Sequence, residues 1–472
     1  MLRFSVENFG CRATDADAAV LRHALVADGL ALTREHSQAD VVVLNTCTVT
    51  GSADAQARDA VRKIHRANPA ARIVVTGCYA QRAPEELAGI EGVSCVVGNS
   101  HFAEIPGAIR ELTETCARAT VTSPGVRSDD RHDFVSIAVL DNDAMSLARG
   151  PAKILTGDIF AQTTVQLAPT AGMASDRTRP VLKIQDGCNN RCAYCVIPSV
   201  RGRSRSLAPD SVLEEVRNLV ASGAKEIVLS GINLGAYGRD LAPRVSLVEV
   251  ARRILDETVL ERLRFSSIEP QDITREFVAL VASSNRIAPH FHVPLQSGSN
   301  RILRAMRRWY RAEHYAERLH LIRAYLPGAA IGADVIAGFP GETKKEFAET
   351  AEFIERLPFS YLHVFSFSER PGTKAANLDG AVHAGEIRER ARKLRAMSKG
   401  KSEDFRASQA GRVLRSLTLD RGGDDWTEAL TGNYLKVRVA GRRPANEWRD
   451  ATVMRDSNEL ATVNELAETC AL

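Results

Sequence analysis

The sequence predicts an α/β protein in three parts: an amino-terminal open α/β domain, a longer central run of alternating strands and helices, and a small all-β carboxy-terminal module. Three observations carry this. Residues 1–116 repeat a strand, turn and helix pattern, which is the signature of an open sheet with parallel strands. From about Val181 to Phe367 six β-like segments alternate with helical stretches, a pitch that predicts parallel strands joined by right-handed crossovers. Beyond residue 408 the β-like runs are separated by Gly, Asn and Asp turns.

Length and composition bound the rest. A chain of 472 residues exceeds one ordinary core, and its 44% hydrophobic and 25% charged content is that of a globular protein in water. No apolar run approaches the roughly 20 residues that cross a bilayer, and the start MLRFSVENFGC reads as a strand, not as a secretory signal. The expectation is a cytoplasmic protein with no membrane partner. Nine cysteines, an odd number in a long chain, argue against a disulfide scaffold. A net charge of +4 permits RNA binding without requiring it.

In the first part, Asp40 to Thr48 (DVVVLNTCT) and Arg72 to Tyr79 (RIVVTGCY) are short β-rich runs that lead into a cysteine, and Arg3 to Arg12 (RFSVENFGCR) is a weaker copy. Helical segments follow at about 15–28, 52–67 and 81–88. Ligands of open parallel sheets collect at the carboxyl ends of the strands. Cys11, Cys47 and Cys78 fall at equivalent ends of three strands, so the fold can gather them although more than 30 residues separate each from the next. Three thiolates without a fourth suit an iron-sulfur cluster with one exposed iron, with zinc as the alternative. Cys95 and Cys116 read as packing and Cys470 as a bystander.

The central part opens with Cys188, Cys192 and Cys195 in CNNRCAYC, a CxxxCxxC triad on one short loop. Three soft ligands leave one iron of a cluster open to a small molecule. A structural zinc site would want a fourth ligand, and no histidine lies in the loop. At the other strand ends stand Ser230, Gly231 and Asn233; then Glu269 and Pro270; then Gln296 and Ser297; then Gly338 and Gly341.

The triad resembles that of the radical S-adenosylmethionine enzymes. The whole chain is similar to the methylthiotransferases of that superfamily, most of all to the branch acting on N6-threonylcarbamoyladenosine in tRNA. The resemblance rests on FGCRATDAD, VVLNTCTVTGSADAQAR, TGCYAQ, KIQDGCNNRCAYCVIPSVRGRSRS, SGINLGAYG, SSIEP, HVPLQSGS, DVIAGFPGET and FSERPGTKAA. It implies two [4Fe-4S] clusters, an auxiliary one on Cys11, Cys47 and Cys78 and a radical-generating one on Cys188, Cys192 and Cys195, whose free iron is chelated by S-adenosyl-L-methionine. It further implies an open (β/α)6 partial barrel for the central part. Tyr194 matches an aromatic position often near the cofactor's adenine. With Ser230, Gly231, Asn233, Glu269, Gln296 and Gly338 it forms the expected cofactor-binding set.

The implied domains are 1–116 with the auxiliary cluster, a linker or insertion at 117–176, a radical domain at 177–407 and a TRAM-like RNA-binding barrel at 408–472. The implied reaction is formation of 2-methylthio-N6-threonylcarbamoyladenosine by radical sulfur insertion at C2 of the adenine, with tRNA, a low-potential electron donor and a sulfur donor as partners. Methylthiolation of N6-isopentenyladenosine or of a ribosomal protein aspartate are alternatives in the same chemistry. An iron-sulfur RNA-binding redox sensor is the alternative without catalysis.

Candidate RNA contacts are Arg201, Arg203 and Arg205 after the cysteine loop, then Arg301, Arg304, Arg307 and Arg308 with Trp309 and Tyr310 in a helical stretch at 299–325, and Tyr434 with Lys436 in the last module. Arginines neutralise phosphates and aromatics stack on bases, although charge runs are more often solvated faces. A further helix is expected at 384–407.

Overall fold

The computed structural model describes residues 1–10, 12–121, 152–165, 178–454 and 461–465. Cys11, Cys470 and most of the expected linker, including the β-like piece at 134–141, lie outside the described residues. The chain divides into two compact units, Met1–Ala168 with Val196–Arg203, and Pro169–Cys195 with Ser204–Leu472.

In the first unit β1 (Arg3–Asn8), α1 (Arg12–Ala27), β2 (Ala31–Leu32), β3 (Val41–Thr46), α2 (Gly51–Ala67) and β4 (Arg72–Gly77) follow in turn. Then come α3 (Cys78–Arg82), α4 (Pro84–Ala88), β5 (Val93–Gly98), α5 (Ile105–Val121) and β6 (Lys153–Leu155). The sheet order is β2-β1-β3-β4-β5-β6, with every pairing parallel. A parallel sheet is covered on both faces, so its central strands carry near-continuous apolar runs, Val41–Leu44 in β3 and Ile73–Val75 in β4. β3 shows how alternation serves both layers: Val42 and Leu44 join Val61, Ile64, Tyr79 and Leu87 on one face. Val41 and Val43 meet Leu21, Leu25, Ile105 and Ile109 on the other. Cys95 is wholly buried in that second layer, which is the packing role its sequence context suggests. The stretch expected to be a connection contributes β6, which pairs with β5 from Cys95↔Lys153 to Val97↔Leu155. Three residues in isolation carry too weak a pattern to be read as a strand; the exposed edge of β5 supplies what the local sequence lacks.

The segment Val196–Arg203 carries α6 (Ile197–Arg201) and packs within this first unit, where Val196 and Val200 close over Cys78.

The second unit holds the six expected parallel strands: β7 (Val181–Asp186), β9 (Glu226–Gly231), β10 (Arg262–Phe265), β11 (His290–His292), β12 (Ala330–Ala337) and β13 (Tyr361–Ser366). A short β8 (Arg205–Ser206) adds antiparallel to β7. The strands form two arcs, β10-β9-β7-β8 and β11-β12-β13, joined by parallel bridges such as Ser267↔His292. Among the described residues β7 and β13 do not pair, so the barrel stays open. The crossovers are α7 (Pro209–Ala221), α8 (Leu247–Glu257), α9 (Arg275–Ser283), α10 (Asn300–Ala305), α11 (Ala312–Tyr325) and α12 (Lys344–Arg356). The expected helix at 299–325 is therefore two, broken where Arg307 takes φ 58°. A bulky residue in the left-handed region ends a helix, and here the break turns Arg308 and Tyr310 inward. α13 (Ala384–Ser408) lies along β13, where Ser398 Oγ accepts from the Leu362 amide at 2.8 Å.

β14 (Val413–Gly422), β15 (Trp426–Thr431), β16 (Lys436–Ala440), β17 (Trp448–Val453) and β18 (Ala461–Glu465) close a small barrel in the order β14-β15-β16-β18-β17. It is tied to the central strands by buried charge. Arg264 donates to the carbonyls of Thr431 and Gly432 at 3.1 and 3.0 Å and to Glu226 at 2.7 Å. Arg262 donates to the Arg415 carbonyl at 2.8 Å and rests on the Trp448 ring. Burial alone would raise the Glu226 carboxyl, but Arg264, Arg179 and Arg262 outweigh it and hold the group down at about 2. Tyr434 stacks on His290 with centroids 4.3 Å apart, so this candidate RNA contact packs against a barrel strand instead.

Candidate active site

The amino-terminal set is built by strand ends. Cys47 directly follows β3 and Cys78 directly follows β4; in register Thr46 faces Gly77, so the two cysteines leave the sheet side by side. Phe9, beyond the end of β1, donates its amide to the Asn45 carbonyl at 2.9 Å. A Cβ built on Gly10 would fall 2.6 Å from Cys47 Cβ and 3.2 Å from its Sγ. Gly10 has φ 133°, a conformation open to glycine alone, and it carries the chain against Cys47 just before Cys11. Cys78 Sγ accepts from Arg201 Nε at 3.2 Å and from Asn99 Nδ2 at 3.6 Å. Arg201, only 3% exposed, is fixed by Asp17 at 2.7 Å. It is therefore a buried partner of a thiol and not a surface phosphate contact. Sulfur atoms at adjacent strand ends, with a cation and an amide directed at one of them, suit a cluster whose thiolates need charge compensation.

The second set is local. β7 ends at Asp186, and Gly187 at φ 69° turns the chain into the cysteine loop. Gln185 organises that turn. Its amide donates to the Asp186 and Gly187 carbonyls at 2.9 and 2.7 Å, while its oxygen accepts the Asn233 amide at 2.8 Å. Gly231 lies against this side chain, since a Cβ there would come within 2.8 Å of Gln185 Oε1. The loop is pinned further by Ala193, which donates to Met306 and accepts from Ala375. Cys188 Sγ accepts from the Asn190 amide at 3.4 Å and lies 4.0 Å from Asn233 Nδ2. Burial pushes the Cys188 thiol up to about 11, so metal coordination there must displace a proton.

Arg308, with its side chain 4% exposed, donates to Cys192 Sγ at 3.3 Å and to the Glu269 carboxylate. Tyr310 takes the Arg308 Nε and donates onward to the Pro294 and Leu295 carbonyls. Burial raises the Glu269 carboxyl, an effect the Arg308 charge opposes. One arginine thus links the cysteine loop to the end of the third strand. Tyr194 packs beside Ala193, Ile302, Met306, Ile336 and Phe339.

The structure places Cys188 beside Asn233 and joins Cys192 to Glu269 through Arg308, and Ser230 is buried at the end of β9. Gln296 and Gly338 stand elsewhere on the rim. Gln296 at φ 65° bridges Val335, and Gly338, at φ 80°, donates its amide to Glu342 at 2.8 Å. The sequence reading missed Gln185 and the inward role of Arg308. A glutamine inside the apolar strand VLKIQ was the available signal for the first. Arg308 had none, because the helix break that turns it is not local. Of the other basic candidates, Arg205 pairs with Asp186 at 3.6 Å and Arg301 with Glu346 at 2.6 Å. Arg203, Arg304, Arg307 and Trp309 remain on the surface, Trp309 at 74% exposure.

Comparison with known proteins agrees with this geometry. Residues 182–354 match the model of the Radical SAM superfamily, and residues 3–98 match a model described as Uncharacterized protein family UPF0004. The chain is 35% identical over 440 residues to the threonylcarbamoyladenosine tRNA methylthiotransferase MtaB of Aquifex aeolicus (strain VF5), covering 93% of this chain and 97% of that protein. It is 37% identical to the protein of the same name from Bacillus subtilis (strain 168), over 85% and 82% of the two chains. It is 34% identical to the tRNA-2-methylthio-N(6)-dimethylallyladenosine synthase of Thermobifida fusca (strain YX), over 92% and 82%. The fold is shared with the radical S-adenosylmethionine methyltransferase TsrM from Kitasatospora setae at TM-score 0.52 and 17% identity, over 79% of this chain and 73% of that one. The chain belongs to the radical S-adenosylmethionine methylthiotransferase family.

Proposed function

We propose that the protein converts N6-threonylcarbamoyladenosine in tRNA to its 2-methylthio derivative by sulfur insertion at C2 of the adenine. The observation that carries this reading is the similarity to the Aquifex aeolicus threonylcarbamoyladenosine tRNA methylthiotransferase across 97% of its length. As an enzyme of this family it works with S-adenosyl-L-methionine and [4Fe-4S] clusters. The aromatic carbon attacked has neither a leaving group nor an acidic proton, and the bound cofactors supply the one-electron chemistry that no side chain here offers.

The protein's share is placement. Cys188, Cys192 and Cys195 are the ligands of the radical-generating cluster, and Cys11, Cys47 and Cys78 those of the auxiliary one. Gln185 holds the loop so that Cys188 and Asn233 face a common point. Arg308 offsets sulfur charge at Cys192 and fixes the Glu269 carboxylate, a member of the cofactor-binding set. Tyr194, Ser230, Gly231, Gln296 and Gly338 complete the cofactor-binding rim. A low-potential electron donor and a sulfur donor serve the reaction in the cytoplasm, and among the described residues no helix is long and apolar enough to cross a membrane.

Similarity to the Thermobifida fusca synthase at nearly equal identity supports a second reading, with N6-isopentenyladenosine as substrate. Nucleoside mass spectrometry on anaerobic reactions with reconstituted protein, reductant, sulfide and S-adenosyl-L-methionine separates them. The 2-methylthio product is expected from threonylcarbamoylated tRNA only. Product from isopentenylated tRNA alone moves the protein to the second branch, and product from neither points to the ribosomal protein aspartate.

A further inference from the structure

The open barrel contains a second cluster of metal-ligating side chains, none of them from the cysteine loop. His292 ends β11, and Asp334 and His363 are register partners on β12 and β13. Asp334 Oδ1 lies 3.2 Å from His292 Nε2 and 3.3 Å from His363 Nδ1. All the ligand atoms fall within 4.8 Å of one another. Bonds of about 2.1 Å at tetrahedral or octahedral angles put neighbouring ligand atoms about 3.0–3.4 Å apart. The two separations fit that spacing.

The second observation is His292 itself. Its side chain is 7% exposed and its Nδ1 meets Ser267 Oγ at 2.5 Å, which fixes the ring. Its Nε2 is then aimed at Asp334 and, at 3.2 Å, forms no hydrogen bond with it or with any other described residue. A buried polar atom left without a partner is costly. A cation held between this nitrogen and the carboxylate satisfies both. A hydrogen bond that fixes the far side of a ligating imidazole, as Ser267 does here, is the usual support of such a site. The other two ligands are more open, His363 at 54% exposure, so further coordination positions face the accessible side of β13.

We propose that His292, Asp334 and His363 bind one divalent transition-metal ion in the barrel, independently of the six cysteines. Two imidazoles and a carboxylate favour a borderline ion such as Zn²⁺ over Mg²⁺ or Ca²⁺. The site stands whichever nucleoside is the substrate.

The test is equilibrium dialysis of full-length protein, with both clusters reconstituted so that the cysteines are occupied, against chelator-buffered Zn²⁺. Zinc, iron and sulfide are counted separately. One zinc per chain is expected, with iron and sulfide unchanged. His363→Ala and Asp334→Asn are each expected to weaken zinc binding by about tenfold or more, whereas His320→Ala, on a helix surface, leaves it unaltered. His363 is largely exposed, so its variant is expected to fold and to keep its iron, which guards against loss of structure. No stoichiometric zinc, or zinc retained equally by His363→Ala and Asp334→Asn, overturns the proposal.

Discussion

The two cysteine sets reach similar surroundings by opposite routes. Cys188, Cys192 and Cys195 are neighbours in sequence and occupy one loop, whose shape is set by Gly187 and by Gln185 in the strand just before it. Cys47 and Cys78 are 31 positions apart, and only the parallel pairing of β3 with β4 puts them side by side. Each set nonetheless has a buried arginine donating to one sulfur, Arg308 to Cys192 and Arg201 to Cys78, and each arginine is fixed by a carboxylate, Glu269 or Asp17. The shared device shows what thiolate sites require whatever their origin: positive charge and N–H donors that are themselves held in place.

The sharpest way to break the comparison is to remove one cysteine from each set. Cys192→Ser is expected to abolish reductive cleavage of S-adenosyl-L-methionine and product together. Cys78→Ser is expected to abolish the methylthiolated product while cleavage stays within about threefold, as for independent sites. Chromatographic assay of 5'-deoxyadenosine beside nucleoside analysis reads both. Loss of cleavage in Cys78→Ser would show that the sets do not act separately.

The arginines sharpen it next. Arg308→Gln is expected to lower cofactor cleavage by about 10- to 100-fold, the usual cost of losing a supporting partner of a metal ligand. Arg201→Gln is expected to lower product by a similar factor with cleavage intact, and electron paramagnetic resonance should show the altered signal in the auxiliary cluster only. A signal change in the other cluster would assign Arg201 a different role.

A smaller effect concerns the buried charge that joins the carboxy-terminal barrel to β9 and β10. Glu226 is held at about 2, below its unfolded value of about 4.3. Its contribution to stability is therefore complete above that unfolded value and is lost as pH falls from about 4.3 toward 2. Tryptophan fluorescence, reporting through Trp448 beside Arg262, is expected to show a transition in this window. Glu226→Gln should remove that pH dependence and destabilise the protein at neutral pH by about 3–5 kcal/mol, because three arginines lose their buried anion.

The basic residues show where reading a linear chain fails. Arg201, Arg205 and Arg308 looked like a charged face because each sits in a run of arginines. The structure buries all three beside Asp17, Asp186 and Glu269, carboxylates that lie 184, 19 and 39 positions away. Arg203 and Arg304, from the same runs, stay on the surface. Spacing cannot separate these cases, because the cost of burying a guanidinium is met by partners that only the folded chain supplies.

The sequence alone carried the three-part α/β plan, the six central strands, the all-β character of the last module and the contiguous cysteine loop. Periodicity and turn chemistry act over a few residues, and the loop's ligands are a few residues apart, so local reading reaches them. Tertiary structure decided the rest: β6 joining a sheet from within an expected linker, the helix break that sends Arg308 to Cys192, Tyr434 stacking on His290, and His292, Asp334 and His363 meeting across three strands. Each of these joins residues far apart in the chain, and each depends on burial and strand register, which local physical chemistry does not encode.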